Sequence, residues 1–306
     1  MTQKILFSTL KYQYLKEQLL QWGDLKNGDL EISFFPDGER YMRILTDIHH
    51  QEVFLLGGTV SDQDTLEIYD LACAFAKQGA DKLTLIIPYF GYSTMERAVK
   101  KGEVVTAKTR ARLFSSIPTT NKGNHLILMD LHSEGLPHYF EGSIHAMHLY
   151  CKPLIMQICK EIAGTDFVLA CTDAGRAKWV ESLANDMGVN AAFVFKRRLS
   201  GDNTLVTGIN ADVVGKTVIL YDDMIRTGGS LIQAGEAYRQ AGASKLYAIT
   251  THGLFSNNAV EKIKNSQVFE KIFATNTHIN VMDIRDEFLV VKSVAPLLHE
   301  KIATSI

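Results

Sequence analysis

The sequence predicts an α/β protein built as two tandem domains, each a mostly parallel sheet flanked by helices. Three observations carry this expectation. Strand-like and helix-like runs alternate along the chain, the rhythm of βα units. Several strand runs are apolar throughout, as strands covered on both faces must be. And 306 residues are enough for two domains, each with its own core.

In chain order, residues 4–10, 30–35, 53–56, 83–90 and 125–131 read as strands, each rich in leucine, isoleucine, valine or phenylalanine. Residues 12–22, 65–78 and 107–117 carry the three-and-four spacing of an amphipathic helix. A second set follows: helix 153–162, strand 167–171, helix 178–187, strands 192–195 and 217–221, then helix 230–240. Strand 246–251, helix 258–265 and strand 272–275 complete it. No Pro/Gly/Ser linker divides the chain, so the boundary is placed just before the helix opening at Lys152-Pro153, where proline suits the first turn. This gives domains of 1–149 and 150–287 and a segment 288–306, a strand and a helix expected to return to the first half. The two halves share a rhythm of strand, polar end, turn and helix, which suggests an internal duplication.

Composition narrows the function classes. Hydrophobic residues make up 46% and charged residues 22%, an ordinary folded protein. A net charge of −2 gives no global field for nucleic acid or an anionic membrane, so any phosphate binding must be local. No apolar run approaches the ~20 residues of a membrane helix. Cys73, Cys151, Cys159 and Cys171 lack metal-type spacing and sit in apolar runs, as thiols of a reducing cytoplasm do. The opening residues lack the apolar core of a signal peptide, and a cytoplasmic protein is expected.

One stretch carries most of the chemistry. Val218-Ile219-Leu220-Tyr221 runs into Asp222-Asp223, then Met224-Ile225-Arg226, then Thr227-Gly228-Gly229-Ser230 and a helix. Neighbouring carboxylates at a strand end can take the hydroxyls of a cis-diol. The turn aims backbone N–H groups and two hydroxyls at an anion, and the helix N-terminus adds its positive end. Acids for a diol and a nest for a phosphate describe a site for a 5-phosphorylated ribose, at the end of a strand where open sheets bind ligands.

Other strand-end segments match one family. Phe35-Pro36-Asp37-Gly38-Glu39, Pro88-Tyr89-Phe90-Gly91-Tyr92-Ser93, Met129-Asp130-Leu131-His132-Ser133 and Phe195-Lys196-Arg197-Arg198 stand in order before the Asp222 stretch. Thr251-His252-Gly253-Leu254-Phe255-Ser256 and Thr275-Asn276-Thr277 follow it. Together they resemble the ribose-phosphate diphosphokinases, over nearly the whole chain. The resemblance implies two tandem phosphoribosyltransferase-like domains and transfer of the diphosphoryl group of ATP to the anomeric hydroxyl of ribose 5-phosphate.

It also implies roles. Phe35 would stack on the purine, with Asp37, Gly38 and Glu39 in an ATP-base loop and Thr94, Met95 and Arg97 in the nucleotide loop. Lys196 and Arg198 would be catalytic, because the group in flight is anionic and needs positioned cations. Arg198 would also join Asp222, Asp223, Arg226, Thr227, Gly228, Gly229 and Ser230 around ribose 5-phosphate. His132 and Asp173 would hold Mg²⁺, a cation that keeps several waters and shares substrate phosphates. Asp130 is a supporting acid, and His49-His50, without partners at metal spacing, reads as surface. The family's ATP sites lie at subunit interfaces, which implies a homo-oligomer.

The sequence also departs from the commoner family pattern. Thr94-Met95-Glu96-Arg97 stands where Arg-Gln-Asp-Arg is usual, and with Gly102-Glu103-Val104-Val105 it looks like the plant-type class II subgroup. Arg226 stands where most of the family has an acid. These changes put phosphate activation and strict ATP preference in doubt. Two rival readings stand beside the enzyme: a non-catalytic regulatory paralogue, and a phosphoribosyltransferase joining a base to the sugar. The first would be expected to lose Lys196, Arg198, His132 and Asp222, and the second gives no reason for a second sheet domain.

Overall fold

A computed structural model describes residues 2–172, 174–200, 203–209 and 212–304, with only the backbone of 174, 195–200 and 203–209. Contacts divide the chain into two compact units, Met1–Tyr150 with Ala295–Ile306, and Cys151–Val294.

In the first unit the elements run β1 (Lys4–Ser8), α1 (Gln13–Leu20), β2 (Lys26–Asn27), β3 (Leu30–Phe34), β4 (Arg40–Ile44), β5 (Glu52–Leu56), α2 (Asp62–Lys77), β6 (Lys82–Ile87), α3 (Thr106–Ser115), β7 (Asn124–Met129) and β8 (Ile144–Leu149). Parallel pairing gives the order β2-β1-β5-β6-β7-β8. Ile5, Leu6 and Phe7 of β1 are all fully buried, which is why that run shows no alternation. Helix α2 turns Ile68, Leu71, Ala72 and Phe75 inward at helical spacing, and Phe75 packs on Phe7 with ring centroids 4.6 Å apart. It starts three residues earlier than its apolar spacing predicts. The Ser61 hydroxyl accepts the Asp64 N–H at 3.2 Å, and Asp62 and Asp64 face the positive end of the helix.

The strand expected at 30–35 is a correction. It does not enter the sheet; β3 pairs antiparallel with β4, which the sequence reading missed. The half-exposed, alternating burial of both strands explains the error, since a hairpin outside the sheet never becomes apolar throughout. After β5 the chain passes Gly57-Gly58. A Cβ at Gly58 would overlap the Tyr12 ring and hydroxyl, and one at Gly57 would lie 2.8 Å from the Thr9 methyl. Both positions accept only glycine without movement.

The second unit runs α4 (Lys152–Ala163), β9 (Val168–Cys171), α5 (Ala177–Met187), β10 (Asn190–Ala192), β11 (Val194–Ser200), β12 (Asn203–Ile209), β13 (Thr217–Ile225), α6 (Gly229–Gln240), β14 (Lys245–Gly253), α7 (Ala259–Asn265), β15 (Lys271–Thr275), α8 (Asn280–Asp283) and β16 (Leu289–Lys292). Its parallel sheet has the order β10-β9-β13-β14-β15-β16, and β11 and β12 form a separate antiparallel hairpin. Each unit therefore repeats one topology: two strands, a hairpin set apart, then four more strands.

Helix α9 (Ala295–Thr304) belongs with the first unit. Its His299 stacks on Trp22 at 4.5 Å and meets Asp24 at 3.0 Å, and the Ile302 carbonyl accepts from Lys4 Nζ. The expectation that all of 288–306 returns to the first half is corrected for its strand, because β16 pairs parallel with β15 in the second sheet. An edge position on an apolar parallel sheet holds that short strand. Among the described residues no helix is long and apolar enough to cross a membrane.

Candidate functional site

Strand β13 pairs with β9 only as far as Tyr221↔Cys171 but with β14 as far as Ile225↔Gly253. Its polar end therefore runs on past β9 at the carboxyl edge of the sheet. Successive residues of a strand face opposite sides, and here that separates the two acids. Asp222 is half-buried, and its Oδ2 accepts the Thr172 hydroxyl at 2.7 Å. Asp223 is 2% exposed and forms a two-point pair with Arg176, whose Nε donates to Oδ1 at 3.1 Å while Nη2 meets Oδ2. The reading of two equivalent acids on a diol is thus modified: Asp222 is the more open of the pair, and Asp223 is turned inward against an arginine. Burial works against the Arg176 charge, but Asp223, Tyr221 and Asp222 outweigh it and raise its pKa.

Beyond the acids, Arg226, Thr227 and Ser230 are exposed, while Gly228 is buried. Gly228 adopts a left-handed φ of +76° as the cap of α6, and a Cβ there would lie 2.7 Å from Ile263. The turn thus requires glycine twice over, in conformation and in space. A glycine cap brings no side-chain oxygen to the first amides of the twelve-residue helix α6, a helix end of the kind that can receive an anion.

A buried polar layer supports this corner. Tyr221 stacks on Trp179 at 4.1 Å, and its hydroxyl bonds Thr251 Oγ1 at 2.9 Å. Thr275 and Thr277 both donate to the Thr251 carbonyl, and Thr277 Oγ1 lies 2.9 Å from His252 Nδ1. In the sequence these threonines stand only as strand ends, and nothing there singles out Thr172 and Arg176 as the groups that hold the acids. Their one signal is a place in the strand-end run Thr172-Asp173-Ala174-Gly175-Arg176.

Lys196 and Arg198 lie on β11, with backbone register Lys196↔Val206 and Arg198↔Thr204; their side chains lie outside what is described. The Lys196–Arg198 segment is therefore part of one strand of a hairpin. Asp173 also falls outside the described residues.

In the first unit, the turn joining β3 to β4 presents Phe35 at 52% exposure, edge-on to Tyr41. Asp37 Oδ1 accepts the Glu39 N–H at 3.1 Å, so Asp37 also shapes its own turn. Glu39 is exposed. In the nucleotide-loop segment, Thr94 is half-buried, and Met95 and Arg97 are exposed. Tyr92 begins this segment at a left-handed φ of +60°, with its hydroxyl on Asp62 and its ring beneath Arg110. Glu103 closes it by accepting the Val99 and Lys100 amides at 2.6 and 3.0 Å, two bonds that hold its pKa below the usual carboxylate range.

His132 is half-buried just past β7. The turn before it is fixed by the Leu131 N–H donating to His148 Nε2 at 2.9 Å and by Asp130 at a strained φ of +35°. Among the described residues no three His, Cys, Asp or Glu side chains form a metal cage. His49 and His50 are exposed, with their rings 4.0 Å apart and tilted to each other, as surface residues. The structure thus brings Asp222 and residues 226–230 into one corner, and leaves 35–39, 94–97 and His132 as three separate loops of the first unit.

Comparison with known proteins agrees along nearly the full length. Residues 4–117 match the model of the N-terminal domain of ribose phosphate pyrophosphokinase, and 186–303 that of the phosphoribosyl synthetase-associated domain. A ribose-phosphate pyrophosphokinase of Caldanaerobacter subterraneus subsp. tengcongensis is 32% identical over 292 residues, covering 94% of this chain and 90% of that protein. The chloroplastic ribose-phosphate pyrophosphokinase 2 of Spinacia oleracea is 31% identical over 89% of this chain and 68% of its own. The crystal structure of phosphoribosylpyrophosphate synthetase from Mycobacterium smegmatis superposes with a TM-score of 0.87 at 27% identity, covering 99% of this chain and 98% of that one.

Proposed function

The chain belongs to the ribose-phosphate pyrophosphokinase family, and from that premise we propose how its own residues divide the reaction. The anomeric hydroxyl oxygen of ribose 5-phosphate attacks the β-phosphorus of ATP. The bond from that phosphorus to the α,β-bridging oxygen breaks, the hydroxyl proton is lost, and AMP leaves with the bridging oxygen. The observation that carries the assignment is the corner from Asp222 through Ser230. Asp222, half-open and oriented by Thr172, accepts a ribose hydroxyl. Thr227, Ser230 and the first amides of α6 hold the 5-phosphate, with Arg226 adding charge. Asp223, expected as a second sugar ligand, supports the same corner through its buried pair with Arg176.

The purine stacks on the exposed face of Phe35, with Glu39 near its amine, while Thr94 and Met95 border the nucleotide and Arg97 its phosphates. Lys196 and Arg198 supply cations to the transferring group, stabilising its charge as the bonds to phosphorus change. A single histidine at a strand end suits Mg²⁺ better than a closed cage would, because Mg²⁺ retains water and borrows phosphate oxygens. His132 would hold it together with Asp173, and the ion would neutralise phosphoryl charge when bound. The enzyme acts as a homo-oligomer, with the 35–39 turn at a subunit interface.

Purified protein incubated with ribose 5-phosphate, Mg²⁺ and ATP should release AMP and 5-phosphoribosyl 1-diphosphate, read by phosphorus NMR. Absence of AMP under all conditions would sink the proposal in favour of a regulatory paralogue. Consumption of added phosphoribosyl diphosphate only with a free base would instead indicate a phosphoribosyltransferase.

Asp222→Asn should weaken ribose 5-phosphate by about 1.5–3 kcal/mol, roughly 10- to 100-fold, and ATP far less. Calorimetric titration of each substrate checks this; loss of ATP binding instead would reverse the assignment of the two sites. A second expectation concerns regulation and donor choice. Arg226, Arg97, Lys100 and Lys101 supply fixed or nearby positive potential, and Thr94 and Met95 offer little to read a base edge. A site that does not hydrogen-bond a group cannot strongly reject substrates lacking it. Initial rates should therefore show activity without added inorganic phosphate and measurable use of GTP or CTP. Absolute phosphate dependence with ATP alone accepted would refute this.

A further inference from the structure

We infer that the first unit holds a binding site for a small organic carboxylate, separate from the nucleotide and sugar loops, at the carboxyl end of β1. A cavity of about 270 Å³ opens there, with Ser8, Gln13, Lys16 and Asn27 on its polar side and Leu10 and Leu30 on its apolar side.

Lys16 is the unusual member. It projects from α1 yet is only 7% exposed, and its Nζ donates to the Gly28 carbonyl at 3.3 Å. Among the described residues no carboxylate lies within ion-pair distance of it. Buried charges ordinarily have a partner, since an uncompensated ammonium is expensive to desolvate. Burial lowers the Lys16 pKa, and the more distant Asp29 and Glu17 offset this only in part. A second group points the same way: Ser8 is 5% exposed, and its hydroxyl has no hydrogen-bond partner. An ammonium short of a counter-charge and a hydroxyl short of a partner share one cavity wall. An anion is the occupant that answers both.

The surroundings decide which anion. One cation faces the cavity, and Asp29, exposed beside it, would oppose a second negative charge. A monoanion therefore fits better than a doubly charged phosphate. Leu10 and Leu30 offer a surface for a short hydrocarbon body, and the Gln13 and Asn27 amides lie on the polar side.

The test uses the full chain at neutral pH and constant ionic strength, titrated with sodium propionate and, separately, inorganic phosphate, by saturation-transfer NMR. Propionate should bind saturably and more tightly than phosphate. Lys16→Met, which keeps the stem and removes the charge, should weaken propionate about tenfold or more, as expected for a lost charge-assisted hydrogen bond. Lys16→Arg should hold the affinity within a few-fold, which separates loss of charge from damage to the fold. Propionate binding unchanged in Lys16→Met, lost equally in both variants, or never saturable would overturn the inference. Equal or tighter binding of phosphate would overturn the choice of a carboxylate.

Discussion

Arg176→Met is expected to destabilise the second unit by about 3–5 kcal/mol, because it removes the guanidinium that meets both oxygens of the buried Asp223 carboxylate. Asp223 is 2% exposed, and both of its oxygens face the guanidinium. Methionine fills much of the arginine stem's volume, so the loss falls on charge rather than packing. Trp179 stacked on Tyr221 gives a local fluorescence signal for urea unfolding, best read in a Trp22→Phe background. The double variant Arg176→Met/Asp223→Leu should recover much of the loss, since removing both charges removes the desolvation problem. An unchanged midpoint in the single variant would mean that water satisfies Asp223 and that the pair contributes little.

Lys196→Ala is expected to lower kcat by about 10²-fold or more while KM for both substrates stays within a few-fold, roughly 3–4 kcal/mol of transition-state stabilisation. The ammonium matters most as charge shifts between the leaving and attacking oxygens, so ground-state affinity should change little. Lys196 sits on β11 in register with Val206, where a side-chain truncation leaves the ladder's backbone bonds available. Steady-state release of AMP checks this, and near-normal turnover would remove Lys196 from the mechanism. Lys196→Arg should be intermediate, since it restores charge with a different geometry.

The parts of this fold that were legible in the sequence are those with a strong local signal. The buried runs at Ile5-Leu6-Phe7, Leu83–Ile87 and Val218–Tyr221 announced parallel strands because they are almost wholly apolar, with Thr84 the one interruption and itself buried. The Thr227–Ser230 turn announced itself because a glycine pair before an amphipathic helix is specific. The hairpins β3–β4 and β11–β12 were half-read, one strand each, since strands outside the sheet carry weaker patterns and their partners lie across a turn. Two adjacent aspartates carry no mark of which faces inward; Thr172 and Arg176, some fifty residues earlier, decide it. Similarly, β16 and α9 are neighbours in sequence that pack in different units, a choice made by tertiary contacts alone.

The repeated topology has a consequence for stoichiometry. In the first sheet β5 holds the place that β13 holds in the second, so Gly57-Gly58 follows the strand where Asp222-Asp223 ends the other. Tyr12 and Thr9 crowd against those glycines, and the helix that follows opens with Asp62 and Asp64. The equivalent corner of the first sheet is thus filled by side chains, and its two acids are already paired, Asp62 with Arg110 and Asp64 with Lys11. A chain with two copies of one architecture should therefore titrate with a single equivalent of ribose 5-phosphate. The divergence leaves one chain with two unlike halves, one carrying a carboxylate pair past its strand's last pairing with β9 and the other a glycine pair.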